Sequence, residues 1–311
     1  MTLTLDHLVI AVRDLDRATE SYRALLGLAP SWRGRHPAYG TANVLFRLPD
    51  TYIELLAPDD RLPSPSGRGV GGEGPWLRAL LSQLDRSGEG LYAIALGTDD
   101  IDRTVADARA HGLGASPERS RRAADPAAGD GVDLQTGARR RWRNARIDAA
   151  GTRNVRLFFI QHLSPPDALP MAPPDAADAA CPHAVDHTVV ASSDLAAALA
   201  LWRDTLGLDL RATVDFPPPN GPRRLCFLRL GDSILELAGE REPRSPGERD
   251  LLWGVSYRAA DVAACVERLR AEGLIVSDVR TGNAPGTLVA DLRPGFSHDV
   301  RTLFIQKEVP A

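Results

Sequence analysis

The hydrophobic and polar positions along the chain repeat. Leu5-Asp6-His7-Leu8-Val9-Ile10-Ala11 and Val185-Asp186-His187-Thr188-Val189-Val190-Ala191 are both strand-like runs rich in β-branched residues. Each leads through Asp14-Leu15 or Asp194-Leu195 into a stretch of helical period that ends at Leu26-Gly27-Leu28 or Leu206-Gly207-Leu208. Such an Asp accepts hydrogen bonds from the first free amides of a helix, and such a Gly takes the left-handed conformation that closes it. Between them Ala18, Tyr22, Leu25 and Leu26 share one helical face, as do Leu195, Ala198, Leu199, Trp202 and Leu206.

The same signature returns from Asp100-Ile101 to Gly112-Leu113 and from Asp261-Val262 to Gly273-Leu274, after strand-like runs at 91–96 and 251–257. Helices are therefore expected over 16–26, 101–111, 195–206 and 262–272. Strands follow at 42–48 and 52–56, turning at Pro49-Asp50, and at 224–230 and 233–237, turning at Gly231-Asp232. Runs at 155–161 and 300–306 close the second and fourth copies on Gln161 and Gln306. The pattern predicts an α+β fold of four βαβββ modules in two pairs with curved mixed sheets. One domain covers 1–162 (modules 1–58 and 90–162) and the other 183–308 (modules 183–240 and 249–308). A Pro/Ala-rich stretch over 163–182 reads as an exposed linker, so each half is expected to carry its own core. Long loops are expected over 59–90, with a short helix at 76–85, and over 116–137.

A chain of 311 residues with 43% hydrophobic and 25% charged residues can bury two such cores. The net charge of −4 gives no field favouring nucleic acid or an anionic membrane. No apolar run is long enough to span a bilayer, and the first residues lack the basic region of a signal peptide. Three cysteines without Cys-x-x-Cys spacing read as buried thiols in a reducing compartment, hence a cytoplasmic protein. With no Walker loop and no Gly-x-Gly-x-x-Gly opening a helix, no nucleotide cofactor is expected. The expected partner is a small molecule, and the expected state a monomer or homodimer.

Alternating modules that open on a strand with Asp-His and close on one with Glu resemble the vicinal oxygen chelate superfamily. It includes glyoxalase I, extradiol dioxygenases, methylmalonyl-CoA epimerase, and the fosfomycin- and bleomycin-resistance proteins. Arg35-His36-Pro37-Ala38-Tyr39-Gly40-Thr41-Ala42-Asn43, followed by Tyr52-Ile53-Glu54-Leu55-Leu56, is similar to its glyoxalase-like branch. The resemblance implies that paired modules enclose a cleft, with metal ligands on the first and last strands. The matching residues are His7 and Glu54 in the first module and His187 and Glu236 in the third, for a divalent metal such as Zn, Fe, Mn or Ni. The even modules depart from the pattern, with Ala93 and Gly254 at the His position and Phe158 and Leu303 at the Glu position. Either a loop residue completes a site, His36 for the first half or His298 for the second, or the metal has been lost and His7–Glu54 remains as a buried ion pair.

His36, as base or third ligand, and Glu54 are the candidate catalytic residues. Thr41, Asn43 and Tyr52 are expected to face the cleft. If 139–143 is a strand, alternation puts Arg139, Arg141 and Arg143 on one face and Trp142 on the other. Arg141 and Arg143 are therefore candidate contacts for a carboxylate or phosphate. The leading expectation is a metal-assisted lyase, isomerase or ring-opening oxygenase acting on a small oxygenated metabolite. Its rival is a metal-free protein that sequesters a small molecule. A third reading makes one half catalytic and the other a scaffold.

Overall fold

A computed structural model describes residues 2–37, 39–59, 75–117, 129–171, 174, 180–216, 223–240 and 249–307. The first half runs β1 (Thr4–Ala11), α1 (Leu15–Leu26), β2 (Trp32–His36), β3 (Thr41–Arg47), β4 (Tyr52–Pro58), α2 (Pro75–Ser87), β5 (Gly90–Gly97), α3 (Ile101–Ala110), β6 (Ala115–Pro117), β7 (Gly129–Val132), β8 (Arg139–Ile147) and β9 (Leu157–His162). The second runs β10 (Pro182–Ser192), α4 (Leu195–Leu199), β11 (Asp209–Phe216), β12 (Arg223–Leu230), β13 (Ser233–Glu240), β14 (Leu251–Ala259), α5 (Val262–Ala271), β15 (Arg280–Thr281), β16 (Thr287–Leu292) and β17 (Arg301–Lys307). The helix of the third module continues beyond α4 as a π-helical stretch, Ala200–Thr205.

The predicted caps are present. Asp14, Asp100, Asp194 and Asp261 each accept a hydrogen bond from the amide three residues on. Gly27, Gly112, Gly207 and Gly273 all have left-handed φ. The two sheets share one topology, β2-β3-β4-β1-β5-β9-β8-β6 (with β7 on β8) and β11-β12-β13-β10-β14-β17-β16-β15. In each, the opening strands of the paired modules meet antiparallel at the centre, and each opening strand lies parallel to the strand that closes its own module. The α+β architecture of four modules in two curved mixed sheets is as expected.

Two expectations fail. The halves do not have separate cores: one continuous cluster runs from Leu8, Tyr22 and Phe46 of the first sheet's helical side to Trp202, Tyr257 and Phe304 of the second's. Each βαβββ pair covers only part of its sheet with helices, and the two helical faces cover each other. Polar groups stitch the seam. Arg268 on α5 donates to the carbonyls of Ala24 and Leu25 at the end of α1, at 2.6 and 2.9 Å, and to Ala180. It thereby satisfies helix-terminal acceptors that have no partner within α1. Arg153 forms a bidentate pair with the buried Asp250. His298, expected as a candidate for the second half's site, instead binds Glu89 at 2.6 Å and Ser21 at 3.2 Å across the seam.

Nor is the stretch after β9 wholly exposed. Leu169 is buried against Trp32, Leu45 and Tyr52, and Arg47 donates to the carbonyls of Pro166 and Leu169. Most of 172–179 lies outside the described residues. All three cysteines are free and buried. Among the described residues, no helix is long and apolar enough to cross a membrane.

A shared core predicts one cooperative unfolding transition, with near-UV circular dichroism and urea-induced changes in fluorescence coinciding. Arg268→Met strands carbonyls at the end of α1 and should cost about 3 kcal/mol by urea titration. Two resolved transitions would contradict the shared core.

Candidate active site

Asp6 and His7 are consecutive in β1, where alternation alone would point them apart. The ladder with β5 prevents this. Leu5 pairs with Leu96 and His7 with Ala95, so Asp6 is an extra residue, a β-bulge that re-aims its neighbours. His7 Nδ1 accordingly meets Asp6 Oδ1 at 2.6 Å. His162, at the end of β9, meets the other Asp6 oxygen at 2.9 Å.

β4 lies parallel to β1 and puts Glu54 on the same face, with Oε2 3.3 Å from His7 Nε2. Asn43 on β3 donates from Nδ2 to Glu54 Oε1 at 2.7 Å. Its seat depends on Gly34, whose missing Cβ would lie 2.9 Å from Asn43 Oδ1 and closer still to the Trp32 indole. Tyr52 stacks on His7 with ring centroids 4.3 Å apart. His36, at the end of β2, meets the Thr41 hydroxyl at 3.2 Å.

These groups open on a cavity of about 90 Å³ whose walls include Trp32, Trp76, Trp142 and Phe158. α2 lies over the same face of the sheet, with Leu80 and Leu84 packed on Val9, Ala93 and Ala95. The structure thus brings His7, His36, Thr41, Asn43, Tyr52 and Glu54 together around one space.

Arg141 and Arg143 are not part of it. The alternation expected for β8 is present, but its parity is the opposite: Arg140, Trp142 and Asn144 face the cavity. Arg143 makes a bidentate pair with Asp102 of α3 on the helical side, and Arg141 is exposed. A run of basic residues fixes the alternation but not which phase faces the sheet's concave side. Asp6 carried a signal in the repeated Asp-His dipeptide; Arg140, Asn144 and His162 carried none.

Burial opposes charge throughout the site, and partners decide the outcome. It would push the Asp6 carboxyl up, yet hydrogen bonds from His162 and His7 hold it well below the usual carboxylate range. Burial would pull His7 down, but its bonds to Asp6 and Glu54 raise it. Glu54, also pushed up by burial, is brought below its ordinary value by His7, His36 and Asn43. For His36 burial wins, and its imidazole is lowered.

The second half carries an eroded copy. Asp186 is again an extra residue opposite β14, and it meets His187 Nδ1 at 2.9 Å. His187 Nε2 lies 3.5 Å from Glu236 but is hydrogen-bonded to Ser256 at 2.7 Å, where the first half has Ala95. Leu225 stands where Asn43 stands, so Glu236 lacks that donor, and burial raises its carboxyl. At Gly254 any Cβ would lie 2.6 Å from the Arg301 carbonyl, which leaves no room for a ligand at that position.

The Asp6 carboxyl is lowered on folding, so its contribution to stability is full above about pH 4 and fades as pH falls below that. His7 is raised, so its contribution is full below about pH 6.5 and is lost as pH rises through its folded value. Asp6→Asn should therefore flatten the acid limb of a Tm-versus-pH profile relative to the parent. An acid limb as steep as the parent's would show that Asp6 is not held ionised by its histidines.

A family model described as glyoxalase-like domain matches residues 5–181, and one described as glyoxalase/bleomycin resistance protein/dioxygenase superfamily matches 186–290. No curated protein matches by sequence. Among solved structures, a mutant of 4-hydroxymandelate synthase from Streptomyces coelicolor aligns with a TM-score of 0.69 at 14% identity, over 100% of this chain and 94% of that one. A Mn(II)-bound glyoxalase from Novosphingobium aromaticivorans aligns at 0.61 and 16%, over 98% and 82%. A hypothetical protein from Staphylococcus aureus aligns at 0.60 and 14%, over 98% and 100%. At these identities the likeness is one of fold. With the first model covering more than half its length, the chain belongs to the glyoxalase-like domain family of the vicinal oxygen chelate superfamily.

Proposed function

We propose that the first-half cavity is an enzyme site that binds a small oxygenated molecule and moves a proton on it, as an isomerase or lyase does, and that the second half is its scaffold. One observation carries this reading. The hydrogen-bonded chain Asp6–His7–Glu54–Asn43 ends on an aromatic-walled cavity, while its copy in the second half has lost the Asn and turned its His toward Ser256. His36, which burial keeps neutral, is the base that takes a proton from carbon. Both ring nitrogens of His7 are taken, Nδ1 by Asp6 and Nε2 by Glu54, so its role is to hold the Glu54 carboxylate at the cavity wall rather than to meet the substrate itself.

The donor set does not suit a resident metal. Among the described residues no group of three or more His, Cys, Asp or Glu is placed to hold one. Ala95 and Phe158, from β5 and β9, flank His7 on the side where a second module would contribute ligands. Proton transfer is therefore assigned to the side chains alone. The Asp6–Nδ1 bond favours one second reading, because the same bond orients metal-binding imidazoles. In it His7 and Glu54 would be two protein ligands of a divalent ion.

The test is deuterium exchange from solvent into a panel of small α-hydroxy and α-keto compounds, followed by NMR. Exchange should survive chelator treatment and fall about 100-fold in His36→Asn. Near-stoichiometric metal whose removal abolishes exchange would replace this reading with the metal-assisted one. Binding without exchange would leave a sequestering protein.

A further inference from the structure

Arg140 is 7% exposed, and among the described residues no carboxylate pairs with it. The site's two carboxylates are engaged elsewhere, Asp6 with His7 and His162, and Glu54 with His7 and Asn43. Among the described residues, no ion pair involves the Arg140 guanidinium. It lies over the rings of Trp32 and Tyr52 at 5.6 and 5.5 Å. Rings attract a cation without neutralising it, and a buried guanidinium with five donors is costly unless an anion meets it.

Two further polar atoms stand unused. Asn43 Oδ1 and Asn144 Oδ1, both on side chains that line the cavity, are buried with no hydrogen-bond partner. Arg140 also stands at a junction. With Tyr52 and His162 it separates the first cavity from a second of about 230 Å³, bordered by Asp6, Asp50, Thr51 and Leu169. The acidic residues Asp6 and Asp50 border that second space; the first is walled by indoles and phenyl, and its one carboxylate among the described residues, Glu54, is already engaged by His7 and Asn43.

We propose that the molecule taken by the first-half cavity is an aromatic monocarboxylate with a proton-bearing carbon beside its carboxylate, the carboxylate pairing with Arg140 and the ring lying among Trp76, Trp142 and Phe158. The guanidinium fork matches a carboxylate in shape and charge, and aromatic walls match a flat ring. Asn144 Oδ1, buried without a partner, is left to accept a hydrogen bond from a polar substituent on that ring. The inference deepens the proposed function and rests on the first-half cavity being the working site.

Benzoate, its neutral isostere benzamide, and inorganic phosphate serve as probes, with affinity read by calorimetry and site occupancy by NMR of the tryptophan indoles. Benzoate should bind the parent and lose about tenfold or more in affinity in Arg140→Met, as expected for a lost charge-assisted pair. Benzamide should bind more weakly and be nearly indifferent to the substitution. Arg140→Lys keeps the charge without the fork and should fall between, which guards against misfolding of the Met variant. Benzoate and benzamide binding alike, with no dependence on Arg140, would overturn the carboxylate inference while leaving the cavity as a ligand site. Phosphate outcompeting benzoate would overturn it in favour of another anion. Failure of both aromatic probes would overturn it together with the cavity reading.

Discussion

A strand normally sends consecutive side chains to opposite faces, and the site exists because β1 breaks that rule at one residue. With Asp6 unpaired in the ladder, its carboxylate meets both His7 and His162, so three ionisable groups from two strands of different modules are locked together. The imidazole is then held at both ends, by Asp6 at Nδ1 and by Glu54 at Nε2. Glu54 is in turn held by Asn43, whose position needs the bare backbone of Gly34. A charged chain of this kind is tolerable in a protein interior only when each member is paired, since stripping one partner leaves a buried charge exposed to a low dielectric.

The curved sheets supply the two surfaces the chain needs. Their helical sides merge into one core, fastened by Arg268 at the end of α1 and by the Arg153–Asp250 pair. The opposite faces are free for other uses. In the first half α2 and the aromatic residues roof that face over, and the cavity is what remains.

Duplication left two versions of the same device, and comparing them separates architecture from chemistry. The bulge, the Asp–His contact and the facing Glu are present in both, so they come with the fold. Asn43, His36 and the indoles belong to the first half alone. In the second, Leu225 and Ser256 redirect the same Glu and His into structural contacts, and a carboxyl that is lowered in one half is raised in the other. Identical motifs thus shift in opposite directions, because the neighbours on adjoining strands differ.

Much of this was legible in the residues themselves. Helix caps, closing glycines, strand alternation and the fourfold repeat are local, each settled within a few consecutive residues by backbone sterics and hydrogen bonding, and the structure has them where the sequence puts them. The pairing of His7 with Glu54 and the placing of Thr41, Asn43 and Tyr52 beside them followed from the family resemblance together with strand alternation and the repeat. What the sequence could not decide was phase and partner. Whether Arg140 or Arg141 faces inward depends on where β8 docks in a sheet built from distant strands. Which groups share a core depends on how two helical faces meet. Whether a carboxyl is ionised depends on donors brought to it by other strands. Such outcomes are long-range, because burial and pairing are properties of the assembled fold; the chain alone determined the parts and their period, and only the tertiary structure decided which side of each part would do chemistry.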